Sequence, residues 1–265
     1  MSRETTAPLA GTRPEGARTE QEASENIRRM FSDIAGRYDL LNHLLSGNLD
    51  RIWRRRVARE FDAILRMPQA RVLDLCCGTG DLALALHRQA THSCSAGAQI
   101  VASDFAHPML LRAVKKSRGR SATGAAGTSR IEWIEGDALR LPLANGGFDL
   151  ITIAFGFRNL ANYEGGLREI HRLLRRGGSV GILEFAEPQG GAFGALYRFY
   201  FRRILPVVGR AISGSSGAYA YLPASVEKFP GPERLREMMG EAGFTDAQYA
   251  LWTGGTVALH TGRKQ

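Results

Sequence analysis

The spacing of apolar residues changes along the chain, and the changes mark its elements. From Ser24, Ile27, Met30, Phe31 and Ile34 recur at helical spacing, the stripe of an amphipathic helix. A second helix is expected from about Leu49 to Leu65, with Leu49, Ile52, Trp53, Arg56, Val57, Phe61 and Ile64 on one face. Beyond Pro68 short β-rich runs alternate with helical stretches. RVLDLCC, IVASDF, IEWIEGD, FDLITIAF and SVGILEFAEP read as strands. GTGDLALALHRQ, HPMLLRAVKKSR and YEGGLREIHRLLRR read as helices, the last ending at Gly177–Gly178. A further helix, GPERLREMMGEAG, precedes TDAQYALW and GTVALHTG, two runs joined at Thr253, Gly254 and Gly255 as in a hairpin.

Strands alternating with helices of this length imply parallel pairing with helices on both faces. The predicted fold class is therefore α/β: a Rossmann-like, doubly wound, mostly parallel seven-stranded sheet that ends in an antiparallel hairpin. Residues 1–23, rich in Gly, Pro, Thr, Glu and Arg without periodicity, are expected to form a disordered tail. The domain proper is expected over 24–265, opening with a helical cap over 24–66. THSCSAGAQ and SRGRSATGAAGTS read as loops.

The 265 residues suit one full-sized domain whose core needs no disulfide or metal staple. No apolar run approaches the roughly 18–20 residues of a membrane span, so an integral membrane protein is excluded. The N-terminal stretch lacks an apolar core, so no secretory signal is expected, and three cysteines fit a reducing cytoplasm. Cys76 and Cys77 are adjacent and Cys94 stands apart, which gives no metal-ligand spacing, so no metal site is expected. The net charge of +9 gathers in three arginine groups: 51, 54, 55, 56 and 59; 168, 172, 175 and 176; 198, 202 and 203. Such groups suit nucleic acid, an anionic membrane surface, or plain solvated helix faces. Without an RNA-binding module or an aromatic RNP-like strand, nucleic acid is not the expected partner.

The first strand-to-helix turn is the candidate cofactor site. Asp74 and Leu75 end the strand, and Gly78-Thr79-Gly80 open the helix, where glycine lets backbone approach a ligand closely. Gly78-x-Gly80-x-x-Ala83 also satisfies a dinucleotide fingerprint. Asp104, ending the second strand, can accept from both ribose hydroxyls, and Asp137-Ala138, after the third, can pair with an adenine edge. Asp81 directly after the glycines disfavours a pyrophosphate and suits a cationic group. S-adenosylmethionine, with a sulfonium and an amino group, is favoured over NAD.

With these residues in place the chain resembles the class I S-adenosylmethionine-dependent methyltransferases, and among them the ubiquinone/menaquinone biosynthesis C-methyltransferase family. The resemblance runs from about Ile27 to Gly262. It rests on MFSDIAGRYDLLNHLLSGNLDRIWRR, DLCCGTGD, SDFAHPML, EGDALRLPL, FDLITIAFGFRNL, HRLLRRGG, LEFAEP, RFYFRRILPVVGRAISG and GGTVALHTG, in that order. It implies cofactor contacts at Thr79, Asp104, Asp137 and Ala138, beside Asp74, Gly78 and Gly80. It also implies a substrate-side insertion over 189–230. Where the family often carries a serine after the fourth strand this chain has Ala154, so that hydroxyl contact is absent.

The implied reaction is methylation of a ring carbon of a prenylated quinol, demethylmenaquinol foremost. Benzoquinol methylation and a small-molecule O- or N-methyltransferase are the alternatives. Ring carbon becomes nucleophilic when a neighbouring hydroxyl ionises, and a phenol titrates near ~10. Arg158 and Asn159, after the fourth strand, are assigned to the quinol oxygens, with Arg158 stabilising negative charge. Tyr38, His43, Tyr219 and Tyr221 are further candidates for the acceptor pocket. A polyprenyl tail resides in a bilayer, so Tyr197–Ile204 and the Arg51–Arg59 group imply peripheral contact at the inner face of the cell membrane. The sequence leaves the oligomeric state open, and a homo-oligomer is compatible with it.

Overall fold

The computed structural model describes residues 11, 12, 14, 16–36, 38–92, 97–121, 131–188, 190, 191, 194, 203 and 225–265. The elements run α1 (Glu20–Ile34), α2 (Tyr38–Leu45), α3 (Leu49–Glu60), α4 (Asp62–Leu65), β1 (Arg71–Leu75), α5 (Asp81–His92), β2 (Gln99–Asp104), α6 (His107–Ser121), β3 (Glu132–Glu135), β4 (Phe148–Ala154), α7 (Tyr163–Leu173), β5 (Leu174–Phe185), α8 (Pro232–Glu241), β6 (Phe244–Trp252) and β7 (Val257–Lys264). The seven strands form one sheet in the order β3-β2-β1-β4-β5-β7-β6. β1 to β5 pair in parallel, and β7 pairs antiparallel with both β5 and β6. The expected sheet and its antiparallel end are both present. The strand order reverses between β1 and β4, and a crevice at that reversal is where such sheets hold ligands.

Both faces of the sheet are covered. Trp53, Val57, Leu65 and Leu86 pack with Ile100 and Leu150 on one side. Leu167, Ile170, Leu235 and Met238 pack with Leu73, Ile151 and Val180 on the other. All these side chains are at least nine-tenths buried, and their removal from water supplies most of the stability.

Several expectations change in detail. Helix α1 starts at Glu20 rather than Ser24, because Thr19 and Glu22 form a reciprocal capping box. Gly11 and Thr12, expected within a disordered tail, are buried on the loop after β4, with Thr12 N–H donating to Leu160 O at 2.9 Å. Gly11 fits there because a Cβ would lie 2.3 Å from Ala161 backbone carbon. Residues 1–10 of that tail lie outside the described residues.

The expected helix over 49–65 is two helices broken at Phe61 (φ −101°, ψ 20°), whose ring packs on Gly181 of β5. Its inward face is also turned. Trp53, Arg54, Val57 and Ala58 are buried, whereas Leu49, Ile52 and Arg56 are exposed. Between α1 and α3, α2 adds a helix to the cap.

Helix α7 ends at Leu173, before the glycines, and Leu174 onward is strand. Lys264 of β7 donates to the carbonyls of His171 and Leu174 at 2.7 and 2.8 Å, closing the helix end early. The second arginine group is engaged at this edge, with Arg172 bonded to Glu169 and to the Leu141 and Leu143 carbonyls. The third group and Tyr197–Ile204, apart from the exposed Arg203, lie outside the described residues, as do Tyr219, Tyr221, Cys94 and most of the 189–230 insertion.

Candidate active site

A cavity, partly open to solvent, lies at the strand-order reversal under the helical cap. Its lining includes Asp74, Gly78, Thr79, Asp104, Asp137, Ala138 and Asn159, so eight of the nine predicted site residues converge with Gly80 counted in the same turn. Gly78 (φ +55°) and Gly80 (φ +81°) make the turn after β1. A Cβ on Gly80 would stand 2.5 Å from the Trp133 ring, so this position admits only glycine.

The carboxylate of Asp104 is held by backbone. Oδ2 accepts from Gly78 N–H at 2.7 Å and Oδ1 from Ala106 N–H at 2.9 Å. The Phe105 backbone amide also bonds the carboxylate. Burial outweighs those bonds and pushes the Asp104 pKa up to about 6. Asp74 is 1 % exposed; Thr152 Oγ1 donates to its Oδ1 at 3.1 Å, the Ala83 backbone also bonds the carboxyl, and among the described residues no side chain reaches its Oδ2. Burial pushes that acid up to about 7. Asp137 is exposed and caps its own loop, accepting from Leu139 N–H at 2.9 Å. Phe105, Met109, Ala138 and Leu139 supply an apolar slot beside it. Cys76 and Cys77 also line the cavity, and burial pushes both thiols well up, so they stay protonated and inert.

A polar network roofs the glycine turn. Lys116 Nζ of α6 reaches Asp39 Oδ2 at 2.8 Å, Asp81 Oδ1 at 2.9 Å and Thr79 Oγ1 at 3.0 Å, while Thr79 donates to Asp39. Asp81, read from the sequence as a free carboxylate for a cation, is thus already paired. Tyr38 lies against the turn, 3.6 Å from where a Gly78 Cβ would be, and burial raises its pKa. Behind Tyr38 and Asp39, His43 Nδ1 meets Asp50 Oδ2 at 2.9 Å, Ser46 donates to Asp50 Oδ1 at 2.8 Å, and Arg54 donates to Asp50. Burial alone would raise the Asp50 pKa, but Arg54, Ser46 and His43 together hold it below its ordinary value. His43, Asp50 and Asp81 have the spacing of a metal-ligand group, yet Arg54 occupies that position as the cation, bonded to Asp50 and 4.0 Å from Asp81.

Arg158 is placed differently from its sequence expectation. Its guanidinium is buried outside the cavity lining, donating to Glu184 Oε2 at 2.9 Å and to Phe155 O at 2.5 Å. Its own N–H donates to Glu184 Oε1 at 3.0 Å. Asn159, one residue on, lines the cavity. Sequence reasoning passed over Arg54, which reaches the cavity from α3 and lies 5.6 Å over the Phe155 ring. The one available signal was its place directly after Trp53, on the buried face once the helix is rotated.

Residues 19–264 match the model of the ubiE/COQ5 methyltransferase family. A demethylmenaquinone methyltransferase of Thermus thermophilus is 50% identical over 233 residues, covering 88% of this chain and 99% of that one. One of the same name from Deinococcus radiodurans is 44% identical over 245 residues, with 92% and 95% covered. Among solved structures, a methyltransferase from Thermotoga maritima, described as S-adenosylmethionine-dependent, superposes with a TM-score of 0.55 at 16% identity, over 90% of this chain and all of that one. That likeness shows the fold, and the family match, spanning sheet, turn and cap alike, shows the lineage: the chain belongs to the ubiE/COQ5 methyltransferase family.

Proposed function

We propose that this protein methylates a ring carbon of demethylmenaquinol, with S-adenosylmethionine as donor, yielding menaquinol. The observation that carries the reading is one continuous cavity that joins Asp104, Asp137 and the glycine turn to Asn159 at the end of β4, in a chain half identical to a demethylmenaquinone methyltransferase.

The residues present fit the donor. Asp104, a carboxylate at the end of β2 on the cavity wall, suits a ribose hydroxyl, and Asp137 with the Ala138 amide suits an adenine edge above the slot of Phe105 and Met109. Gly78 and Gly80, with Thr79 between them, leave room for the chain beyond the ribose, and Asp74 Oδ2, which no side chain reaches among the described residues, suits an ammonium. Bound S-adenosylmethionine supplies a methyl group on a sulfonium, a leaving group that needs no further activation.

What remains for the protein is the acceptor. It must hold the ring carbon in line with the methyl at roughly 3–3.5 Å and favour ionisation of the neighbouring hydroxyl. Asn159 is suited to bond a quinol oxygen, and Arg158 to fix the loop that carries Asn159, through Glu184 and Phe155 O. Tyr38, Phe31 and the cap line the cavity over the glycine turn and reduce its exposure to water.

The membrane reading gains an observation. Leu40, Leu49 and Ile52 are 59%, 37% and 58% exposed on α2 and α3, beside the exposed Arg51, Arg55 and Arg59. Aliphatic side chains among arginines suit an anionic bilayer at the inner membrane face, the source of a polyprenyl acceptor. Among the described residues no helix is long and apolar enough to cross a membrane.

Labelled S-adenosylmethionine, incubated with demethylmenaquinone with and without dithionite, tests the reaction. The expected product is C-methylated menaquinone, formed only under reduction. Equal methylation of the oxidised quinone, an O-methyl product, or a benzoquinol as the sole acceptor would overturn the reading.

A further inference from the structure

Two buried arginines adjoin the cavity, and Arg54 is the one whose side chain lines it. It is 7 % exposed, fixed at one nitrogen by Asp50, and makes no other hydrogen bond among the described residues. A guanidinium carries five donors, so most of its capacity stays unused and faces the cavity. Asp50 is held in turn by His43 and Ser46, from one turn of α2 and the loop after it, so the arginine's position is set by a second layer. Its nearest other carboxylate, Asp81 at 4.0 Å, is drawn toward Lys116 at 2.9 Å, which it shares with Asp39. Beneath it is the ring of Phe155, directly after β4 and four residues before Asn159, so Arg54 and Asn159 flank the acceptor end of one cavity. That surrounding is dry enough for a charge to act strongly and open enough for a ligand oxygen to reach it.

We propose that Arg54 is a catalytic residue whose guanidinium pairs with the acceptor's hydroxyl oxygen and stabilises it as phenolate during methyl transfer. The proposal rests on the acceptor reading above. In the balanced step the hydroxyl proton passes to solvent, a C–C bond forms as the C–S bond breaks, and the ring carbon's hydrogen leaves as a proton. The oxygen is reprotonated as the ring regains aromaticity, so one proton is released per turnover. Asp50, His43 and Ser46 are positioning residues for Arg54. An anionic oxygen here could also belong to the cofactor's carboxylate, and the test separates the two.

The test uses the full chain and two probes. With demethylmenaquinol and saturating S-adenosylmethionine, Arg54→Gln is expected to lower kcat at least 100-fold and to move the alkaline rise of the pH–rate profile up by one unit or more. Calorimetric affinity for S-adenosylhomocysteine should change less than threefold. Arg54→Lys, which keeps the charge and the Asp50 pairing, should recover part of kcat, and it carries the test if the Gln variant does not fold. Separately, 1-naphthol titrated by absorbance in the presence of the wild-type protein and S-adenosylhomocysteine should ionise at least one pH unit below its free value, and Arg54→Gln should abolish that shift. Loss of S-adenosylhomocysteine affinity beyond tenfold, with kcat at saturation intact, would assign Arg54 to the cofactor carboxylate and overturn the proposal. A naphthol shift that is absent in the wild type, or unchanged in the variant, would overturn it as well. Failure of demethylmenaquinol to turn over while the naphthol shift persists would sink the acceptor reading and leave Arg54 supported.

Discussion

Arg158 and Arg54 are both buried beside Phe155, yet their surroundings give them opposite uses. Arg158 sits under the loop after β4, where Glu184 takes both its side chain and its backbone N–H. Its charge is balanced inside the protein, and it stiffens the segment that presents Asn159. Arg54 descends from the helical cap and keeps most of its donors toward the cavity. A buried charge with its carboxylate fully matched is structure, whereas one with spare donors at a cavity wall is available for chemistry.

The contrast breaks most readily at Glu184. Replacing it by Ala removes the carboxylate that balances Arg158, and the expected loss is about 3–5 kcal/mol of stability, read by chemical denaturation. A loss below 1 kcal/mol would mean that Glu184 is not what holds the loop. Asp50→Ala should cost less, about 1.5–3 kcal/mol, because the released guanidinium can turn to water in the open cavity. If the two variants were equally destabilised, the distinction between sealed and cavity-facing arginines would fail.

The two cavity acids sharpen the comparison through pH. Asp74 and Asp104 are raised by burial to about 7 and about 6, above the ~3.9 of an unfolded chain. In the folded state each keeps its proton longer, so each costs stability increasingly as pH rises from about 4, and the cost is complete above its folded value. A ligand that donates hydrogen bonds or presents an ammonium favours the ionised forms and releases protons. S-adenosylhomocysteine should therefore bind more tightly as pH rises from 5 to 7.5, by up to about 1.4 kcal/mol per pH unit for each proton released. Calorimetry in buffers of different ionisation enthalpy reads the proton count, and pH-independent affinity would remove both acids from the cofactor site. The smallest effect belongs to a third arginine. Arg56 is exposed and lies 4.3 Å over the Trp252 ring, so Arg56→Ala should cost about 0.5–1 kcal/mol in thermal unfolding and leave turnover unchanged.

These arginines also mark the limit of what the sequence discloses. Strand runs such as RVLDL and FDLITIA carry their own burial pattern, and the antiparallel end followed from two runs joined by glycines. The glycine turn, Asp104 and Asp137 were readable because each stands at a strand end, where backbone fixes its direction. Arg158 also stands at a strand end, but a single turn of 3-10 helix at Phe157–Asn159 points neighbouring side chains apart, one to Glu184 and one to the cavity. No local pattern encodes that choice. For α3 the sequence reading places Leu49, Ile52 and Arg56 on one face with Trp53, Val57 and Phe61. Packing turns that face so that Trp53, Arg54, Val57 and Ala58 point inward, since Trp53 reaches Thr253 with a 2.7 Å hydrogen bond and Phe61 needs the space over Gly181. Both partners lie more than a hundred residues away, beyond the reach of periodicity.

The order of strands has a consequence for how the chain is made. β7 is the seventh of the seven strands in chain order, yet it lies between β5 and β6 and is paired along both edges. Among the described residues β6 has no other strand neighbour, so after synthesis it waits for the dozen residues that complete β7, about a second at ~5–20 residues per second. During that interval β5 and β6 both expose unpaired edges, open to pairing with another nascent chain. Closing of the sheet, and with it the Lys264 bonds that end α7, therefore waits for β7.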